Sequence, residues 1–322
     1  MIRYVGKRLL QMIPILLVVA ILIFTLMQFV PGDPVQIILG EDATPVQVEQ
    51  VREDLGLNEP FFVQLLNFLK DLLHLDFGES YLSGLPVRSE LAMRFPNTLI
   101  LAICCVIFTV VIGIPIGVQC ALKADKLIDR IWLFFTLLCS SMPGFWLALL
   151  LVLLFSVELN LLPSNGIGGP EYFILPVLAN SIGSLASIAR HTRSSMLEVI
   201  RADYISTAKS KGISRKRVIW RHALPNALIP VITTVSSSFG MMLGGATIIE
   251  SVFSIPGIGM FMMSGINNRD YPVVRGCIIY IAFAFSIMML ITDLIYAFVD
   301  PRIKAQYVRS KSKDTKSHES KT

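Results

Sequence analysis

Residues 95–122 read FPNTLILAICCVIFTVVIGIPIGVQCAL, and no Lys, Arg, Asp or Glu interrupts them between Arg94 and Lys123. Crossing the hydrocarbon core of a bilayer takes about 20 mainly apolar residues in a helix, which satisfies every backbone polar group internally. Working outward, charge-free runs recur at 9–32, 131–157, 172–189 and 222–249. A last one covers 276–292 and resumes after Asp293 as far as Val299. The pattern predicts six spans. The fourth is the most dilute, with Asn180, Ser181, Gly183 and Ser184 inside it.

Composition agrees. Of 322 residues 54% are hydrophobic and 16% charged, and the mean hydropathy is +0.66. A soluble domain carries roughly a quarter charged residues, so the balance argues against a soluble enzyme or a nucleic-acid binder. The net charge of +5 reads as membrane topology instead. Arg3, Lys7 and Arg8, then 123–130, 190–221 and the C-terminal tail, alternate with acidic or neutral segments. Once the long 31–94 segment is set aside, Arg269 and Arg275 are the basic residues left on the other side. The positive-inside rule then places both termini in the cytoplasm. The first run is too long for a signal-peptide core and reads as a retained anchor. The five cysteines all lie in apolar runs and read as packing residues.

Segment 31–94 is too long for a plain connection. Thr44-Pro45-Val46-Gln47 is a capping box with Pro at the first helical position, followed by Val48, Val51 and Leu55, with Gly56 as a stop. Pro60 opens a second, amphipathic run from Phe61 to Leu73. It suits either a contact surface for an external partner or a cap on the bundle. In 190–221, Asp203 reads as an N-cap, 204–211 as a short helix, Gly212 as its C′ residue and Ser214 as the next cap. Ser206 and Ala208 give this helix a small face that permits close approach by another surface. It is a docking element for a cytosolic partner or an ordinary basic inner loop.

Other residues allow two readings each. Gly113/Gly117 and Gly240/Gly244 have the G-x-x-x-G spacing that lets helix backbones approach, within the subunit or against a partner. Pro115, Pro143, Pro225 and Pro230 can kink their helices. Asp293 is the clearest ionisable group inside a span, a functional candidate or a near-interface salt bridge with Arg302 in reach. Glu250 is expected to follow the fifth span and reach the outer interface. Met241, Met242, Met260, Met262 and Met263 form no compact cage for a metal.

Asp203-Tyr204, Thr207-Ala208-Lys209-Ser210-Lys211-Gly212 and Arg221-His222-Ala223-Leu224-Pro225-Asn226-Ala227 with Pro230 resemble the inner-loop signature of ABC importer permeases, more narrowly the peptide/nickel group. Ser206 and Thr207 depart from the acidic-small opening of the general signature, while Thr-Ala is usual in the peptide group. The resemblance runs nearly end to end. It includes Pro31-Gly32-Asp33-Pro34, Leu55-Gly56-Leu57, Asp76-Phe77-Gly78, Pro163-Ser164, Gly168-Gly169, Ile174-Leu175-Pro176 and Gly244-Gly245. It continues through Ile249-Glu250, Pro256-Gly257-Ile258-Gly259, Asn268-Arg269-Asp270-Tyr271-Pro272-Val273-Val274 and Asp300-Pro301-Arg302.

The resemblance implies an all-α integral membrane protein of the type I importer permease fold. Its parts are a tail and first span (1–30), a long extracytoplasmic segment (31–94), a five-helix core (95–300) with a coupling loop at 190–221, and a basic, disordered cytoplasmic tail (301–322). It implies ATPase coupling through Asp203, Tyr204, Thr207, Ala208, Lys211, Gly212 and Arg215. The implied partners are a second homologous permease, two cytosolic ATPase subunits and an extracytoplasmic substrate-binding protein, besides membrane lipid and no nucleic acid. No cofactor is expected in this chain, since ATP and Mg belong to the ATPase subunits. The sequence has no G-x-x-x-x-G-K-[ST] loop, no HExxH and no G-x-S-x-G serine, so the chain is read as non-catalytic. Peptides are the first expectation for cargo, with nickel or a metal chelate as the alternative. A secondary transporter or channel without an ATPase is the reading from another class; it predicts inverted repeats or several mid-membrane ionisable groups.

Overall fold

The computed structural model describes residues 2–30, 34–40 and 43–299; the expected tail at 301–322 lies outside them. In chain order the helices are α1 (Ile2–Gln28), α2 (Pro34–Leu39), α3 (Pro45–Asp54), α4 (Phe61–Leu73), α5 (Val87–Leu122), α6 (Leu127–Ser141) and α7 (Gly144–Leu151). They continue as α8 (Glu171–Ile200), α9 (Asp203–Ser210), α10 (Arg215–Arg217), α11 (Leu224–Val252), α12 (Ile258–Asn267) and α13 (Tyr271–Val299). Wider π-helical turns extend α7 through Val152–Glu158 and join α10 to α11 through Val218–Ala223. The second lies just before Pro225, whose missing N–H and bulky ring disfavour a regular turn there.

Among the described residues five helices are long and apolar enough to cross a membrane. The third expected span is not one straight helix. α6 and the α7 segment meet at a bend of 100°. Met142 precedes Pro143, and its backbone is extended (φ −89°, ψ 126°). The proline ring disfavours the helical region for the residue before it, and here Met142 leaves that region and ends α6. Counted as one broken span, the pair brings the total to six. Pro115 and Pro230 lie inside continuous helices.

The dilute fourth run proves central. α8 pairs most extensively with α5, and α11 packs on both. Its polar residues serve that position: Asn180 Nδ2 donates to the Met242 carbonyl at 3.3 Å, and Ser181 is fully buried against α5. One apolar cluster joins Leu101, Cys105, Leu175, Met242, Ile249 and Phe253 from these three helices. α13 packs on α11, α12 and α1. The capping box at Thr44 forms as expected, with the Gln47 side chain accepting from the Thr44 amide at 3.0 Å. α4 covers the bundle: Phe68 stacks on Phe24 of α1 at 5.3 Å, and Leu69 and Leu72 join Ala20, Ile23 and Ile279. Its opposite edge, Phe62, Leu66 and Leu73, is exposed.

Candidate functional site

α9 is held from one side only. Its Ile205 and Ala208 are buried in a cluster with Val118 and Ala121 of α5, Met196 of α8, Val218, Ile219 and Ala223 of the π-helical turn before α11, and Leu224 and Ala227 at the start of α11. Asp203, Tyr204, Ser206, Thr207 and Lys209 are exposed on the other side, as are Lys211, Gly212 and Arg215 just beyond it. Two expectations change here. Ala202, extended at φ −69° and ψ 147°, is the N-cap, and Asp203 sits in the first turn, where its charge complements the helix dipole. Ala208 is small because it packs against the chain's own core. It does not face outward with Ser206.

The end of α9 is formed as the sequence predicts. Gly212 adopts φ +76°, and its amide donates to the Lys209 carbonyl at 3.0 Å while the Ile213 amide reaches Ala208 at 3.4 Å. This left-handed position favours glycine. Ser214 occupies the next N-cap position, but its side chain makes no capping hydrogen bond.

Above α9, an ion pair ties α6 to α8. Arg193 Nε and Nη2 donate to the two oxygens of Asp129 at 2.7 and 2.6 Å, and the Asp125 amide donates to Asp129 at 2.9 Å. Asp129 is 1% exposed. The bidentate geometry is the strong form of this pair. Sequence reading missed it, because Asp129 and Arg193 lie in two separate basic inner segments and nothing local marks them as partners.

At the other end of α11 the structure overturns the expectation for Glu250. The residue is still within α11 and fully buried. Its Oε1 accepts from Thr98 Oγ1 at 2.7 Å and its Oε2 from the Met260 amide at 3.0 Å. The carboxylate therefore caps α12. A Cβ on Gly257 would collide with this carboxylate and one on Gly259 with the Thr247 backbone first and the carboxylate second, which explains both glycines in Pro256-Gly257-Ile258-Gly259. Asn97 Nδ2 donates to the Pro256 carbonyl at 2.9 Å.

The glycine pairs behave differently from one another. A Cβ on Gly117 would sit 2.5 Å from Thr192 Cβ and 2.6 Å from the Ala189 carbonyl, and one on Gly113 3.3 Å from the Leu185 carbonyl. This pair sets the α5–α8 approach inside the chain. Gly240 lies under the Phe285 ring, but nothing lies within 4 Å of a Cβ on Gly244. With Met241 and Ile248, Gly244 lies on an exposed strip of α11. Asp293 pairs with Arg8 at 3.0 Å; Arg302, the partner expected from sequence, is outside the described residues. Among the described residues no group of three His, Cys, Asp or Glu side chains could hold a metal.

Comparison with known proteins bears on this arrangement. The family model described as "Binding-protein-dependent transport system inner membrane component" matches residues 113–305, and its N-terminal companion matches residues 1–102. The dipeptide transport system permease protein of Alkalihalophilus pseudofirmus is 40% identical over 332 residues, covering 94% of this chain and all of that one. The glutathione transport system permease protein of Salmonella choleraesuis is 38% identical over 304 residues, covering 94% and 99%. Among solved structures, an inward-facing form of the MetNI methionine ABC transporter superposes with a TM-score of 0.55 at 18% identity. It covers 65% of this chain and 96% of that one, a likeness of fold.

Proposed function

The chain belongs to the family of binding-protein-dependent transport system inner membrane components, and from that premise we propose which cargo it moves and how it is driven. It is a multi-pass permease of an ABC importer in the cytoplasmic membrane. The cargo we assign is a short peptide, because relatives at about 40% identity over nearly the whole length are named for dipeptides and glutathione. Those names favour peptides over nickel or a metal chelate.

In this reading the α9 end of the bundle faces the cytoplasm, where one of two ATPase subunits grips the exposed edge formed by Asp203, Tyr204, Thr207, Lys211 and Arg215. A second, homologous permease completes the pathway, with the exposed Met241–Gly244–Ile248 strip of α11 turned toward it. A substrate-binding protein delivers peptide to the opposite end. ATP and Mg belong to the ATPase subunits. The observation that carries the assignment is the two-sidedness of α9. Its inner edge is embedded among α5, α8 and α11, while its outer edge is polar and open. Force applied outside is thereby conducted to three spans.

The test uses the complete importer reconstituted in proteoliposomes with its neighbouring-gene partners. Thr207→Arg and Tyr204→Glu should leave the permease folded in the membrane, abolish co-purification of the ATPase and reduce labelled dipeptide uptake at least tenfold. Full uptake with both variants would remove α9 from this role.

A further inference from the structure

Between α1, α4 and the start of α13, at the end of the bundle opposite α9, two cavities adjoin. One is about 570 Å³ and the other about 430 Å³, and they share Phe24, Leu57, Gln64, Tyr81 and Arg275 as walls. Each falls within the range of about 300–1,000 Å³ typical of small-molecule sites.

Arg275 stands on the shared wall. Its guanidinium carbon lies 5.1 Å from the centre of the Phe68 ring and 5.7 Å from that of Phe24. Its Nε donates to the Tyr271 carbonyl at 3.3 Å. No carboxylate forms an ion pair with it among the described residues. Asp270 lies near enough to attract it electrostatically, but makes its hydrogen bonds elsewhere: it accepts from Ser80 Oγ at 2.6 Å and from the Val273 amide at 3.4 Å, capping α13. A largely enclosed arginine is stabilised by aromatic faces, yet its planar fork is made for a bidentate anion. Tyr81 adds a hydroxyl, and burial raises its pKa above the ordinary value, so it remains a donor.

Charge is distributed unevenly around the chamber. Arg275 lies on the wall that both cavities share, and the smaller one is otherwise lined mainly by Met27, Gln28, Val30, Pro34 and Tyr271. The larger one is walled also by Asp71, Asp76 and Glu79. Asp76 Oδ1 accepts from the Gly78 amide at 2.9 Å, which fixes that carboxylate at the rim.

We propose that this chamber is a binding site for a short zwitterionic peptide, its terminal carboxylate on the Arg275 guanidinium and its ammonium toward Asp71 and Asp76. The proposal rests on the peptide-permease reading and adds to it a site in this subunit itself, apart from the bundle centre. Apolar walls at Phe24 and Leu57 accept side chains without selecting among them, while the charged ends select for free termini.

The test is binding of dialanine to the purified importer in nanodiscs of neutral lipid, without the external binding protein, by isothermal titration calorimetry. Arg275→Gln should weaken dialanine at least tenfold, and Arg275→Lys should recover part of the loss. Dialanine amide, which lacks the carboxylate, should bind wild type at least tenfold more weakly than dialanine, yet bind Arg275→Gln no worse than dialanine does. N-acetyl-dialanine should lose affinity in wild type and lose less in an Asp71→Asn/Asp76→Asn variant. Equal affinity of wild type for dialanine and its amide would overturn the proposal even if no Arg275 variant folds. So would an unchanged dialanine affinity in Arg275→Gln. Loss of dialanine binding when anionic phosphatidylglycerol is added would show a lipid headgroup in the chamber and also overturn it. Dialanine uptake by the complete importer is read separately. Uptake without binding at Arg275 sinks this site and leaves the transport function. Binding without uptake does the reverse.

Discussion

Thr98 Oγ1 donates to Glu250 Oε1 at 2.7 Å, and the same oxygen accepts the Ile258 amide at 2.9 Å. One hydroxyl on α5 thus fixes both the end of α11 and the start of α12. Thr98 is 1% exposed and Glu250 fully buried. Thr98→Val keeps the shape and removes both bonds, leaving a buried carboxylate short of a donor. The expected loss is about 1–3 kcal/mol, read as a lower melting temperature in detergent by scanning fluorimetry, with Thr98→Ser restoring most of it. An unchanged melting temperature in Thr98→Val would mean that the α5–α12 link carries no stability.

The Asp129–Arg193 pair gives a second test. Asp129→Asn leaves the partly exposed Arg193 guanidinium facing a neutral partner, and weakening a charged hydrogen-bonded pair of this kind costs about 1–3 kcal/mol. An apolar double replacement, Asp129→Leu with Arg193→Met, should recover most of that. If the double variant melts no higher than the single one, the pair contributes more than its mutual neutralisation.

Glycine substitutions should follow a steep order. Gly117→Ala pushes a methyl into the Ala189 carbonyl and the Thr192 side chain, and overpacking of this kind costs about 1–3 kcal/mol. Gly244→Ala points into open space and should leave the isolated subunit within about 0.5 kcal/mol of wild type. Its effect, if it contacts the second permease, appears in the yield of assembled importer. Equal melting shifts for the two variants would contradict the packing of α5 on α8.

Ala208 and Thr207 are neighbours on α9 that should fail differently. Ala208→Leu crowds the cluster around Met196 and Ile219 and should lower thermal stability by about 1–3 kcal/mol. Thr207→Leu, on the exposed side, should leave stability unchanged and act on ATPase co-purification. Chymotryptic digestion of the purified subunit distinguishes a loosened α9 from an intact one.

The long apolar runs made the membrane fold legible in sequence, because hydrocarbon tolerates few charges and few alternatives to a helix. Short-range signals also read true: the Thr44 capping box and the Gly212 stop depend on residues within one turn of one another. Long-range pairings were another matter. Glu250 looked like the first polar residue past a span, but its partners are Thr98 and Met260, and no periodicity relates α5 to α12. Ala208 read as an outward small face because residue size does not say which side a short helix buries. Asp293 pairs with Arg8 on α1, a partner nearly the whole chain away that no local pattern marks. The bend at Pro143 was foreseeable as a kink, but its size follows from Met142 taking an extended backbone.

The cluster beneath α9 has a mechanical corollary. Because Ile205 and Ala208 share one dry nest with three different spans, the two-turn segment behaves less like a hinged handle than like a keystone. A push on it bears on α5, α8 and α11 at once, because all three share its packing.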